Sequence, residues 1–203
     1  MPILKAHIEV MASAPYNICC PAGVIAGREI TKENRQEAFG QVAGGGGSTR
    51  PEKQQRKMIE EGTGCPCPKS NVRINHETLV MRENSHPMTY DSGFDWSENF
   101  DGVQKFDDKL VYINLKSVVG TGGSQTRTLR DECYPFVRAQ LKHLNQTKKD
   151  TTYFANIFDG DEAADCMVHF TYLLNLPAYA DIKKYVYVGD LKGYFDWLKA
   201  IVC

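Results

Sequence analysis

From residue 100 to the end, stretches of strand periodicity alternate with stretches of helical periodicity, and this alternation restricts the chain to an α/β architecture. Residues 110–119 form an apolar strand. Val111, Ile113 and Leu115 share one of its faces, and Tyr112, Asn114 and Lys116 share the other. Residues 102–106 precede it as a second strand, with Asp107 and Asp108 as the tip between them. Leu129, Cys133, Phe136, Val137, Leu141 and Leu144 then follow helical spacing, with a kink or restart predicted at Pro135. Residues 152–158 read as a buried strand, 160–174 as a helix capped by Asp159 or Asp161, 185–188 as a short strand, and 191–202 as a helix capped by Asp190. The predicted fold is a central mixed β-sheet flanked by helices.

The N-terminal third has a different texture. Residues 1–10 alternate as a half-buried strand, and Thr31 caps a helix through about residue 42. Four glycines and Ser48 break the chain at 44–48. A second helix restarts at Thr49-Arg50-Pro51 and stops at Gly62. After a loop at 62–71, residues 72–82 read as strand. This gives an N-terminal strand and helical region over 1–71 and an α/β core over 72–203, together one globular domain. A chain of 203 residues can bury such a core.

The net charge of −1 gives no global basic signal for nucleic acid, although a basic surface around an acidic metal site can average to zero. No apolar run reaches the roughly 18 residues that span a bilayer. Lys5, His7 and Glu9 interrupt the first ten residues, so they are not a secretory leader. The expectation is an intracellular, cytoplasmic protein, in which seven cysteines read as thiols or metal ligands. Cys19-Cys20 with Cys65-Pro66-Cys67 supplies four thiolates of the number a structural zinc takes, but without Cys-x₂-Cys spacing; the alternative is two thiol pairs in loops. Cys133 and Cys166 lie on apolar helical faces and read as core. His76, Glu77 and His86 are further candidates for a metal site. Asp159-Gly160-Asp161-Glu162 lacks EF-hand spacing and reads as helix capping.

The chemistry concentrates ahead of and along the apolar strand. Glu98 and Asp101 stand one short turn before the first strand of the pair, and twelve residues separate Asp101 from Asn114-Leu115-Lys116. Phosphodiester hydrolysis requires charge neutralisation at the phosphate and an activated water, which carboxylate-held Mg²⁺ supplies, while an adjacent lysine stabilises developing charge. Alternate positions on one strand place such groups side by side. The plainer reading makes Asp101-Gly102 a turn, and Asn114 and Lys116 the solvated face of an edge strand.

This arrangement, with the helix and buried strand after it, resembles the PD-(D/E)XK nuclease superfamily, which includes the type II restriction endonucleases, over residues 90–160 or so. The resemblance implies a restriction-endonuclease-like core and a Mg²⁺-dependent endonuclease acting on DNA, with Mn²⁺ as a substitute metal and a homodimer as the assembly. Carried over by position, Asp101 is the central metal ligand, Asn114 stands in the second ligand's place, the Leu115 carbonyl also reaches the metal, and Lys116 is the catalytic lysine. Glu98 or Glu77 serves as an auxiliary acid. The superfamily has Asp or Glu where this chain has Asn114, so the site is expected to bind Mg²⁺ poorly. Three explanations are a variant compensated by Glu98, an inactivating substitution, and a fold that has lost the activity. The Gly-rich loop of residues 120–130 follows, and its Ser124, Gln125, Arg127 and Arg130 suit contact with phosphates or base edges; the alternative is a flexible connector. The second functional expectation is a non-catalytic α/β binding or assembly module, with its thiol loops in protein contacts or around a structural zinc.

Overall fold

The computed structural model of the chain describes residues 49–83, 95–117, 127–148, 151–159 and 161–202. The strand expected in 1–10, the helix expected in 31–42 and the glycine break at 44–48 lie outside them. Helix α1 (Thr49–Thr63) carries Glu52 in its first turn. It ends where Gly64 adopts a left-handed φ of 64° and its N–H returns to the Glu60 carbonyl at 2.8 Å, an αL cap that a side chain would strain.

Strands β1 (Val72–Ile74) and β2 (Met81–Glu83) form a separate antiparallel hairpin. Residues 72–82 are therefore not one strand. The Asn75 side-chain oxygen accepts the N–H groups of Glu77 and Thr78 at 2.9 and 2.7 Å, and Leu79 takes a positive φ of 60°, so the chain turns back.

The main sheet has the order β3–β4–β5–β6. β3 (Gly102–Phe106) and β4 (Lys109–Ser117) form an antiparallel hairpin, while β5 (Thr152–Asp159) and β6 (Val186–Gly189) add in parallel. Helices α2 (Tyr134–Thr147) and α3 (Asp161–Leu174) make the two crossovers, and α4 (Leu191–Val202) closes the chain. Among the described residues the architecture is thus α/β, a four-stranded mixed sheet flanked by helices.

The alternation along β4 divides the core. Val111, Ile113 and Leu115 are fully buried with Ile59 of α1 and with Tyr194, Phe195 and Leu198 of α4. Tyr112 packs on the opposite side, against the core cluster that holds Phe136 and Val137 of α2, Phe170 of α3 and Phe154 of β5. The side chains of Thr63, Gln104 and Tyr194 tie the first cluster together, because Gln104 donates to Thr63 at 2.8 Å and accepts from the Tyr194 hydroxyl at 2.7 Å. Every buried polar atom in that relay has its partner.

Before α2 the chain winds as a π-helix, Thr128–Cys133. Pro135 has no N–H to return to the Asp131 carbonyl, so an ordinary α turn would lose a bond here. The wider turn is closed instead by the Tyr134 N–H on the Leu129 carbonyl, five residues back. No described helix is long and apolar enough to cross a membrane.

Gly62 sits within α1, where alanine is ordinarily favoured by about 1 kcal/mol. Here an added Cβ would overlap the ring of Phe195, which is itself fully buried and has nowhere to move. Gly62→Ala is expected to lower unfolding free energy by about 1–3 kcal/mol, measured by urea denaturation; a stabilised variant would contradict the packing of α1 on α4.

Candidate active site

The acidic segment is held in place from behind. Ser97 N–H donates to the Ile74 carbonyl at 2.9 Å, Ile74 N–H returns to the Ser97 hydroxyl at 3.0 Å, and Phe100 N–H reaches the Val72 carbonyl at 3.0 Å. The Phe100 ring then plugs the core, 4.8 Å from Phe136, 5.2 Å from Tyr112 and 5.5 Å from Phe154 between ring centres. With both flanks fixed, Glu98 and Asp101 project at the C-terminal end of β4.

Asp101 lies where β4 outruns its partner. β3 begins at Gly102, opposite Ile113, so the Leu115 N–H has no ladder bond from β3. The Asp101 carboxylate takes it instead, at 2.7 Å. A residue's N–H and C=O point to the same edge of a strand, which directs the Leu115 carbonyl to the Asp101 side as well. Glycine at 102 is required by close approach, since a Cβ there would meet the Cys67 sulfur at 2.7 Å.

Burial pushes the Asp101 carboxyl up from 3.8 to about 6; the Leu115 N–H opposes the shift, Glu52 and Glu98 add to it, and Lys116 subtracts. Glu52, in the first turn of α1, is thus close enough for its charge to act on Asp101. It escapes a sequence reading because it stands 49 residues upstream on an unremarkable polar helix face. One turn further along that helix, the Gln55 amide and the Arg56 Nε are buried with no hydrogen-bond partner among the described residues.

Lys116 faces a cleft of about 170 Å³ that it shares with Trp96, Glu98, Asn114, Glu132 and Cys133. Its ammonium is 2.8 Å from Glu98 and 3.8 Å from Glu132. Burial alone would lower its pKa, but the hydrogen bond and charge of Glu98 outweigh that and raise it, so Lys116 is a cation at neutral pH. Cys133 is pushed up to about 12 by burial and is a thiol, not a nucleophile. His76 also borders the cleft, and burial holds its pKa down.

Asn114 is neither solvated nor on an edge strand. It is 3% exposed, on an internal strand, and directly opposite Asn156 of β5. Its amide nitrogen donates to the Asn156 oxygen at 3.2 Å. Asn156 exchanges two bonds with Gln140 of α2, giving at 2.7 Å and receiving at 3.1 Å, and donates to the Tyr187 carbonyl at 3.3 Å. Both Gln140 and Asn156 were visible in the sequence as polar residues at apolar positions, Gln140 on the α2 stripe and Asn156 inside a buried strand.

The other candidates do not line this cleft. Arg130 is exposed and forms a two-pronged pair with its neighbour Asp131, at 2.7 and 3.0 Å; it borders a separate cavity of about 310 Å³ with Tyr134, Phe170 and Tyr172. Arg127 is exposed just before the π-helix. Glu77 is exposed in the β1–β2 turn. Cys65 and Cys67 sit with the α1–α4 cluster on the opposite face of the sheet, where burial pushes the Cys67 thiol up to about 12. Cys19, Cys20, His86, Ser124 and Gln125 lie outside the described residues, as do the side chains of Asp159, Asp161 and Glu162. Among the described residues no group of three or more His, Cys, Asp or Glu is placed to hold a metal ion.

The raised Asp101 pKa makes stability pH-dependent. Between about pH 4 and 6 the folded carboxyl keeps a proton that the unfolded chain has released, so this group's contribution falls as pH rises through that window. Above it the cost is constant at about 3 kcal/mol. Asp101→Asn keeps an acceptor for the Leu115 N–H and removes the charge. It is expected to unfold at higher urea than the parent at pH 7–8 and to lose that advantage at pH 4; a less stable variant at pH 7 would refute the assignment.

In comparisons with protein-family models, curated proteins and solved structures, the chain matches none.

Proposed function

We propose that the chain is a Mg²⁺-dependent endonuclease with a restriction-endonuclease-like core, hydrolysing DNA phosphodiester bonds. One observation carries this reading. A buried carboxylate, Asp101, is hydrogen-bonded to the backbone of Leu115, whose next neighbour Lys116 presents a clamped ammonium to a cleft. The antiparallel β3–β4 pair followed by a crossover helix and parallel β5 supports the same reading.

The donors suit a hard dication. They are oxygens only: the Asp101 carboxylate, the Leu115 carbonyl, the Asn114 amide, and Glu52 nearby. Mg²⁺ keeps several waters and takes one or two protein carboxylates plus substrate phosphate oxygens, which so sparse a set allows. Asp101, held above the usual carboxylate range and with no cationic side chain paired to it among the described residues, has the environment such an ion would relieve. A Mg²⁺ held there would supply charge neutralisation at the phosphate and a more acidic water. The protein's own groups do the rest. Asp101 and the Leu115 carbonyl fix the position, Lys116 stabilises charge developing on the phosphate oxygens, and Glu98 orients Lys116 until substrate replaces it.

The second reading, a non-catalytic binding or assembly module, is favoured by the commitment of the Asn114 amide nitrogen to Asn156, which leaves a neutral amide where the superfamily has a second carboxylate.

Plasmid nicking in Mg²⁺ or Mn²⁺ decides between them. The parent chain is expected to nick supercoiled DNA, with Lys116→Ala and Asp101→Asn reduced by about 10²–10³-fold while remaining folded by circular dichroism. No nicking by the parent, together with no Mn²⁺-induced rise in melting temperature, leaves the binding-module reading.

A further inference from the structure

The buried amides beneath the cleft have a polarity that one backbone group sets. The Tyr187 carbonyl can only accept, so the end of Asn156 that meets it is the NH₂. The remaining NH₂ hydrogen goes to the Gln140 oxygen at 2.7 Å, and the Asn156 oxygen is left facing Gln140 Nε2 at 3.1 Å and Asn114 at 3.2 Å. An oxygen facing Asn114 demands a donor, so Asn114 turns its nitrogen inward. Its own oxygen, at the other end of the same planar group, is thereby directed to the cleft that Asn114 lines.

Reversing Asn156 does not offer an alternative. Gln140 could reverse with it, but two oxygens would then meet at Tyr187. Aspartate at 114 fares no better, since its carboxylate would confront the Asn156 oxygen with no proton between them.

We infer that Gln140 and Asn156 are positioning residues that present the Asn114 carbonyl oxygen to the cleft as a fixed neutral ligand for a divalent cation. This rests on the metal-dependent reading for its ligand and on hydrogen-bond geometry alone for its orientation. Asparagine at 114 is then a built-in part of the sheet. Exchanging it singly for aspartate breaks the amide chain.

One metal-independent and one metal-dependent measurement test the two halves. In the first, Asn114→Asp is made in the parent and in Asn156→Ser, whose hydroxyl can donate to a carboxylate as readily as it accepts from an amide. Without metal, Asn114→Asp is expected to lower the folding equilibrium constant at least about tenfold in the parent and less than about threefold in Asn156→Ser. Equal penalties in the two backgrounds overturn the orientation.

In the second, Mn²⁺ affinity is measured by electron paramagnetic resonance for the parent and for Gln140→Leu/Asn156→Leu. That double change removes both buried polar partners and so limits the loss of stability. Affinity is expected to fall about tenfold or more in a cooperatively folded variant, although neither residue reaches the cleft. Asn156→Ala, which removes the acceptor for the Asn114 amide nitrogen, replaces the double variant if the latter fails to fold. Unchanged affinity overturns the positioning role. A parent chain that binds no Mn²⁺ overturns the ligand role and the metal-dependent reading with it, while the stability cycle still decides which way Asn114 faces.

Discussion

Strand β4 is the internal strand that joins the antiparallel and the parallel halves of the main sheet. It is hydrogen-bonded on both edges, antiparallel to β3 and parallel to β5, and covered on both faces by helices. A strand so enclosed tolerates polar side chains only where each is satisfied or where the enclosure ends. Its C-terminal end provides both conditions. Asn114 is satisfied by Asn156, and Lys116 emerges into the cleft where β3 has not yet begun. The placement of Asp101 follows from the same mismatch in strand length, because a backbone N–H without a ladder partner attracts the nearest acceptor.

The register of β4 on β5 is fixed twice over. A slip of one residue would turn Val111, Ile113 and Leu115 onto the wrong face. It would also move Asn114 from opposite Asn156 to opposite an alanine or an isoleucine, stranding a buried amide on each strand. Apolar and polar patterning therefore select the same pairing, which is the condition under which a sequence specifies one structure.

Much of this framework was legible in the amino-acid order. The strand and helix periods after residue 100 identify the four sheet strands and three of the helices, because each element buries a whole face and so repeats its apolar residues. Pro135 announces a disturbed helix, though not that the disturbance is a π turn. What sequence could not provide is tertiary adjacency between distant polar groups. Glu52 looks like one more charge on a solvated helix until α1 is laid across the sheet. Gln140 and Asn156 are anomalies of pattern whose mutual partner appears only when α2 packs over β5. Arg130 reads as a free basic residue in a polar loop, but it is satisfied by the adjacent Asp131. The stretch 72–82 was misjudged because its apolar content suits a strand, while one asparagine side chain is enough to fold it back.

The position of Asp101 has a wider consequence. Burial pushes its carboxyl up to about 6, close to physiological acidity. Any cation that settles beside it, a metal ion or a basic side chain of a partner, must expel part of that proton population into solution. Cation binding beside Asp101 and acidity of the surroundings would therefore be linked variables, each opposing the other. The proton and the cation would compete for the same pair of oxygen atoms.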